Sequence, residues 1–559
     1  MATVIPRRRN HDATTVDAGS PPVLLETRSP AAVWGRTYCH HLQLLRNGAI
    51  AWIVGLAGIS WGVAVTFEDR YATPEELAAF AEFEGVPAFE ALLGRLAGLA
   101  TLEGGVLSRW GIFGVLAAIW GMLAAIRLLR RAEETGHLEP LRAGVVSARG
   151  LLSSALAALA TAFAIFAVVI GVTHTAAGMD AATSWALGGA AALVAASFAA
   201  AGALASQLTS SYRRATGMVG IFLGLTLAVR LVASASATPE WVWWATPLGW
   251  LGYLHELDQA RTAVFLAYLG LLAVLVIATY LLAVRDLHAG RLAVGDDVVS
   301  RPRRPVRGQA DLAMRLTAGP LRTWGLVAGL AALGFGLLAR DFSVAVADLE
   351  TMAELTELLG YPGMDTPEGI IGWTFGMAVA IVLAVFAAGR AVAIREEEAT
   401  WRIEHLLVRP VSRVRWLATR TMVAAAAVAL AALVAGILGW AGTALVGAPI
   451  AFTDGLLGAV NVLPIALLAL GIGVAVAGLA PRLTAPITYG LVIAAYLLDF
   501  VGGMLELPEA VLDLSPFRHL AAVPAADMNV GAAVTMLAVA VAGAAVGTVA
   551  FRRRDLQEA

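Results

Sequence analysis

The sequence predicts an all-α membrane protein of about twelve transmembrane helices, arranged as two pseudo-symmetric parallel repeats of six and preceded by an amphipathic elbow helix. Three observations predict it. Of 559 residues, 59% are hydrophobic and only 14% are charged, and the mean hydropathy is +0.76, values outside the range of soluble globular domains. Apolar runs of about 20 residues, the length that crosses a hydrocarbon core, recur along the whole chain. Short motifs of the first half return in the second in the same order.

Residues 1–30 are polar, with Arg7, Arg8 and Arg9 followed by Pro21 and Pro22. They read as a disordered cytoplasmic tail without the apolar run of a cleavable signal peptide. The elbow occupies 31–47: Trp34, Tyr38, Leu42 and Leu45 share one helical face, while Arg36, His40 and Arg46 reach headgroups. A plain membrane-surface anchor would have the same pattern. The first half, 48–287, holds spans near 48–67, 106–128, 151–173, 183–206, 216–235 and 262–284. A Pro- and Arg-rich cytoplasmic linker covers 288–312. The second half, 313–559, holds spans near 323–340, 370–393, 418–445, 456–480, 485–504 and 530–551.

Arginine placement orients these spans. The tails and the connections after every second span hold 32 of the 39 arginines, so by the positive-inside bias they face the cytoplasm together with both termini. The opposite connections at 68–105 and 341–369 carry 8 and 7 carboxylates against 2 arginines and none. A net charge of −2 therefore conceals a strongly polarised molecule. The outer segment 347–359 reads as a capping helix. Trp241, Trp243, Trp244 and Trp250 read as an interfacial aromatic belt, or as a lid over an exit for hydrophobic solutes.

The repeat rests on registration. Thr246–Pro247 precedes Arg285–Asp286–Leu287 by the same 39 residues that separate Ser515–Pro516 from Arg554–Asp555–Leu556. Leu92–Leu93–Gly94 returns as Leu358–Leu359–Gly360. RRAEETGHLE (130–139) aligns without gaps on REEEATWRIE (395–404), and Ser147 falls on Ser412. Six spans return the chain to the same side, so the halves are related by an axis along the membrane normal.

Composition also limits the chemistry. The chain contains no lysine, so it cannot form a GxxxxGK[ST] phosphate loop or a Schiff-base lysine. The single Cys39 leaves no disulfide or cysteine metal cluster. His174, His255 and His519 are scattered, without metal-ligand spacing. No catalytic residue and no metal site is expected, and nothing suggests nucleic acid as a partner.

The connections after the second span of each half are the most informative segments. Glu133, Glu134, Glu139, Pro140 and Arg142 are mirrored by Glu397, Glu398, Glu404, Arg409 and Pro410, followed in each half by a serine. A solvated helix with i,i+4 charge pairs is the plain reading. Recurrence in both halves favours a functional one.

REEEATWRIEHLLVRPVSRVRW (395–416), its weaker copy RRAEETGHLEPLRAGVVSARG (130–150) and the closing FRRRDL (551–556) resemble the membrane subunits of type-2 ATP-binding-cassette exporters. More narrowly, they resemble the duplicated actinobacterial permeases of the polyketide-antibiotic or tetronasin type, over nearly the whole chain from Trp34. The resemblance implies a non-catalytic permease subunit in a bacterial plasma membrane. It would export hydrophobic or amphipathic compounds, antibiotics and drugs or possible lipids among them, with ATP and Mg bound on two copies of a separate ATPase. It implies cytoplasmic coupling helices that dock on that ATPase, which places coupling on Glu133, Glu134, Glu139 and Arg142 and on Glu397, Glu398, Glu404 and Arg409. The first half departs from the pattern at Gly144–Val145, where the second has the neighbourhood of Pro410. The alternatives are a twelve-span secondary transporter of the major-facilitator kind, whose GxxxDRxGR-like motif is missing, and a non-transporting membrane scaffold.

Arg230 and Asp499 stand 269 residues apart, at equivalent places in the fifth and eleventh spans. Ionisable groups at that depth need a partner or water. They are the candidate pair for an outer gate; the alternative is that each snorkels to the outer interface or pairs locally.

Overall fold

The computed structural model describes residues 30–85, 89–90, 93–136, 146–234, 239–255, 259–283, 305–347, 363, 365–399, 411–504 and 508–554. Among them all regular structure is helical. The long helices are α1 (Pro30–Val65), α2 (Leu102–Ile126), α3 (Ala148–Ala176), α4 (Ala181–Leu208), α5 (Tyr212–Ala233) and α6 (Gln259–Leu282). They continue with α7 (Gln309–Ala347), α8 (Pro367–Ala399), α9 (Arg413–Leu445), α10 (Phe452–Leu479), α11 (Thr484–Met504) and α12 (Val530–Arg553).

Hydrogen-bonding side chains set where the spans begin. Thr101, Ser147, Asp180, Ser211, Thr366, Ser412 and Asn529 each accept a bond from a backbone N–H of the first turn that follows. Each cap satisfies a donor that an apolar residue would leave exposed.

Eleven of these helices are long and apolar enough to cross a membrane, where twelve were expected. The difference lies at the fifth expected span. Its helix is present as α5, whose 22 residues carry Arg213 and Arg214 at the start and Arg230 near the end. The elbow also differs from expectation. Residues 31–47 and the first span form one uninterrupted helix of 36 residues, with no proline between them and Asn47–Gly48 taken into the helix. Helix α7 likewise runs through 39 residues, with Pro320 inside it.

The helices enclose two hydrophobic cores. One is built from residues between Ala49 and Ala283. The other is built from residues between Ala328 and Phe551, joined by Phe83, Phe89, Leu96 and Leu99 from the connection between α1 and α2. In the first core α4 is central, packed by α2, α3, α5 and α6, with α1 against α3; in the second α10 packs α8, α9, α11 and α12, with α7 against α9. Small residues bring these helices into backbone contact, as is usual where apolar surface gives no advantage over lipid. A Cβ on Gly121 of α2 would stand 2.0 Å from the Ala195 carbonyl oxygen of α4. One on Gly547 of α12 would stand 2.2 Å from the Val474 oxygen of α10.

The connection between α1 and α2 ties the two cores together. Phe89 packs on Phe342 of α7 with ring centroids 4.5 Å apart. Arg95 lies 4.4 Å over the Tyr253 ring and 3.5 Å from Glu240, both in the first half. Of the four clustered tryptophans, Trp243 and Trp250 are buried, and Trp250 Nε1 donates to the Trp244 carbonyl at 2.8 Å. Trp241 stays exposed, so a shared interfacial belt does not describe them; the chain folds back here in short helical turns that carry two of the rings inward. The segment expected to cap the outer side, 347–359, lies outside the described residues from 348 onward, as does most of the 288–312 linker.

Candidate functional site

Helix α2 does not stop at Ile126. It continues through a π turn at Arg127–Arg131 into Ala132–Glu134, which carries Arg130 and Glu133 inward. Both are buried, and Arg130 Nη1 donates to Glu133 Oε2 at 2.8 Å. The next carboxylate, Glu134, accepts the backbone N–H of Tyr212 at 2.6 Å, and Arg131 lies over the Tyr212 ring. Thus the end of α2 is fastened to the start of α5.

The end of α8 repeats the i,i+3 pair and extends it. Arg395 and Glu398 are buried, with Arg395 Nη1 3.5 Å from Glu398 Oε2. Arg395 Nε also donates to the Pro481 carbonyl at 3.2 Å. Arg554, just beyond α12, donates through Nη2 to Glu398 Oε2 at 2.7 Å and through Nε to the Gly478 carbonyl at 3.0 Å. Arg413 Nη1 donates to the Arg554 carbonyl at 2.7 Å. Glu397 takes Arg420 Nη2 of α9 at 2.6 Å.

These contacts separate the expected coupling residues. Glu133 and Glu398 are each 3% exposed, so they brace the helix ends from within and present no surface to a docking partner. Glu134 and Glu397 fasten the same helix ends to α5 and α9. Glu139, Arg142, Glu404 and Arg409 lie outside the described residues. The caps Ser147 and Ser412 restart the chain as α3 and α9. The charged contacts at the end of α8 thus join it to α9, α10 and α12.

Arg230 is 5% exposed and donates through Nη1 to the Gly111 carbonyl of α2 at 2.7 Å. Asp499 is half-buried on α11. Two groups were missed in the sequence. Arg390 lies within the apolar stretch LAVFAAGRAVAI (383–394) and was grouped with the cytoplasmic charge that follows; the apolar residues on both sides were the available signal. His174 is fully buried in a network: its Nε2 lies 2.8 Å from Ser60 Oγ, its Nδ1 2.9 Å from the Ile170 carbonyl, and Trp110 Nε1 donates to Ser60 Oγ at 3.0 Å. No sequence signal joins residues on three different helices.

The family model described as "Multidrug efflux system permease Rv1217c, C-terminal domain" matches residues 41–285 and 307–552. The chain belongs to this family. It is 31% identical over 513 residues to the multidrug efflux system permease protein Rv1217c of Mycobacterium tuberculosis (strain ATCC 25618 / H37Rv), covering 89% of each chain. In this chain the matched stretches contain both buried Arg–Glu pairs, leave out 286–306 and end within α12.

Proposed function

We propose that the chain is the transmembrane subunit of an ATP-driven exporter of the type-2 ATP-binding-cassette kind, moving hydrophobic or amphipathic compounds out of the cytoplasm or the inner leaflet. The observation that carries this reading is the 31% identity, across 89% of each chain, to a multidrug efflux permease. Eleven helices able to cross a membrane supply the body of such a permease. A lysine-free chain has no standard phosphate loop, so the reading assigns ATP and Mg to a separate ATPase, two copies of which dock beneath the two halves on the cytoplasmic side of a bacterial plasma membrane.

The two halves act as a duplicated unit in this proposal. Supporting it, Thr246 Oγ1 donates to the carbonyl twenty residues earlier, at Thr226, and Ser515 Oγ does the same to Ala495, at 2.9 and 2.7 Å. Both pairs are related by 269 residues, as are Arg230 and Asp499. The coupling segments would then be the stretches between each Arg–Glu brace and its capping serine, with Glu139, Arg142, Glu404 and Arg409 meeting the ATPase and Glu133, Glu134, Glu397 and Glu398 passing its movement to the spans. ATP-driven closure would shift the population between inward-open and outward-open states. Arg230 and Asp499 would serve the outer gate, Arg230 holding α5 to α2 meanwhile.

The test is co-purification and reconstitution with the ATPase, followed by Glu139→Arg combined with Glu404→Arg. The expected result is loss of assembly or of drug-stimulated ATP hydrolysis. Unchanged assembly and turnover would remove the coupling assignment. For the gate, an Arg230→Asp, Asp499→Arg double variant should transport better than either single variant; no recovery would count against the pairing.

A further inference from the structure

The connection from α1 to α2 belongs to the first half by sequence and to both halves by packing. Among the described residues, every substantial helix-to-helix contact stays within one half, and the first core takes no residue from the second half. The second core takes four from this connection, Phe83, Phe89, Leu96 and Leu99. Its described part, residues 67–85, 89–90 and 93–101, is therefore a strap from the first half laid on the second. It lies at the helix ends opposite the Arg–Glu braces, before α2 and beside the close of α7.

The two attachments of the strap differ in kind. On the first half it is held at backbone distance. A Cβ on Gly111 of α2 would overlap the Leu93 carbonyl oxygen, and one on Gly252 would stand 2.6 Å from the Arg95 Cβ. The Gly111 carbonyl also accepts Arg230 of α5, so strap, α2 and α5 meet at one residue. Arg95 adds its contacts with Glu240 and Tyr253, and Arg109 of α2 lies 5.0 Å over the Phe80 ring. On the second half the contact is made by rings. Phe80, Phe83 and Phe89 follow one another at centroid separations of 6.1 and 4.2 Å, and Phe89 meets Phe342 of α7 at 4.5 Å. Arg340, two residues earlier on α7, donates to the Val446 carbonyl beyond α9 at 3.3 Å, which ties Phe342 to the α7–α9 pair. Backbone contact leaves no room to slide. Apolar rings can part and meet again without leaving a buried polar group unpaired.

We propose that the strap is a latch between the two halves: it stays fixed to the first half, and its Phe83–Phe89 clasp on Phe342 holds the outer helix ends together and releases when the outer side opens. The inference rests on the exporter reading and deepens it by naming the contact that opening must break. The joint that yields is the apolar one, and the glycine-tight joint moves as a unit with α2 and α5. Loss of the clasp shifts the population towards the open outer side.

The test uses the full chain with Cys39→Ser, which removes its single thiol, in phosphatidylcholine nanodiscs. Spin labels on Ala176→Cys at the end of α3 and Leu445→Cys at the end of α9, both exposed positions, report the separation of the halves on the strap side. The intact clasp should give one short-distance population, and Phe89→Ala and Phe342→Ala should each add a longer one. The two variants lie in different halves, so either alone suffices if the other does not fold. A distribution unchanged by the substitution overturns the latch. In inverted vesicles holding the chain and its ATPase, with ethidium as the probe, a Phe89→Cys, Phe342→Cys pair bridged by ethanediyl bismethanethiosulfonate should lose efflux and recover it on reduction. The same bridge between Arg95→Cys and Tyr253→Cys, across the fixed attachment, should leave efflux unchanged. Undiminished efflux with the clasp bridged overturns the latch and leaves the exporter reading standing. Absence of ATP-driven efflux from the unbridged protein counts against the exporter reading, and the distance measurement, which needs no ATPase, then decides the latch by itself.

Discussion

Arg554 reaches back across 156 residues of chain to hold Glu398, at 2.7 Å between Nη2 and Oε2. The contact joins the residue just past α12 to the end of α8. Because Arg554 also bonds to the Ala477 and Gly478 carbonyls at the end of α10, three helix ends meet at one guanidinium.

Breaking that brace should be costly. Glu398→Gln and Arg554→Gln each remove one partner of a buried pair, for which about 3–5 kcal/mol is usual. Both variants should melt well below wild type in detergent, and the double variant should lose less than the sum. Additive losses in a double-mutant cycle would show that the two residues act independently.

Helices α10 and α12 should tolerate no side chain at their contact. Gly547→Val places atoms where the Val474 carbonyl already lies 2.2 Å from the Cβ position, and it should lower thermal stability by roughly 1–3 kcal/mol or more, as overpacking does. Gly217→Ala on α5, where nothing lies within 4 Å, should be neutral. Comparable melting temperatures for the two variants would refute the close packing.

The network at His174 should be sensitive to shape as well as polarity. With Nδ1 against the Ile170 carbonyl and Nε2 against Ser60, neutral imidazole satisfies both sides. His174→Ala leaves the buried Ser60 hydroxyl short of a partner, at about 1–3 kcal/mol. Faster hydrogen exchange in α1 and α3 should accompany the loss, and Ser60→Ala should couple to it. Wild-type exchange in His174→Ala would exclude this role.

Glu90 predicts a pH effect on stability. Burial raises its carboxyl above the ordinary range, although the Leu96 N–H and Arg95 act in the opposite direction. The folded state therefore takes up a proton more readily than the unfolded chain. Its contribution to stability is complete below the unfolded value of about 4.3 and is lost as pH rises through the folded value. Glu90→Gln keeps an acceptor for Leu96 N–H, so it should melt higher than wild type at neutral pH, with the gain vanishing in acid. A pH-independent difference in melting temperature would rule out this cause.

The candidate site was only partly legible in the sequence. The i,i+3 spacing of Arg130 with Glu133 and of Arg395 with Glu398 can be read directly, as can the return of the pair in the second half. Their burial cannot, because it depends on α10 and α12 arriving from far along the chain. Arg390 was hidden for a related reason: in sequence it adjoins the cytoplasmic arginines, and only the packing around α8 shows its Nε buried.

Composition and local pattern by themselves determined a helical membrane protein and the lack of a phosphate-binding lysine. The first follows from hydropathy over a single span, the second from a bare residue count. Only the tertiary structure decided that Phe89 belongs to the core of the other half and that Glu398 answers to Arg554. Each of these is a contact between distant segments, formed when helices pack at backbone distance and a buried charge must find whatever partner that packing brings near.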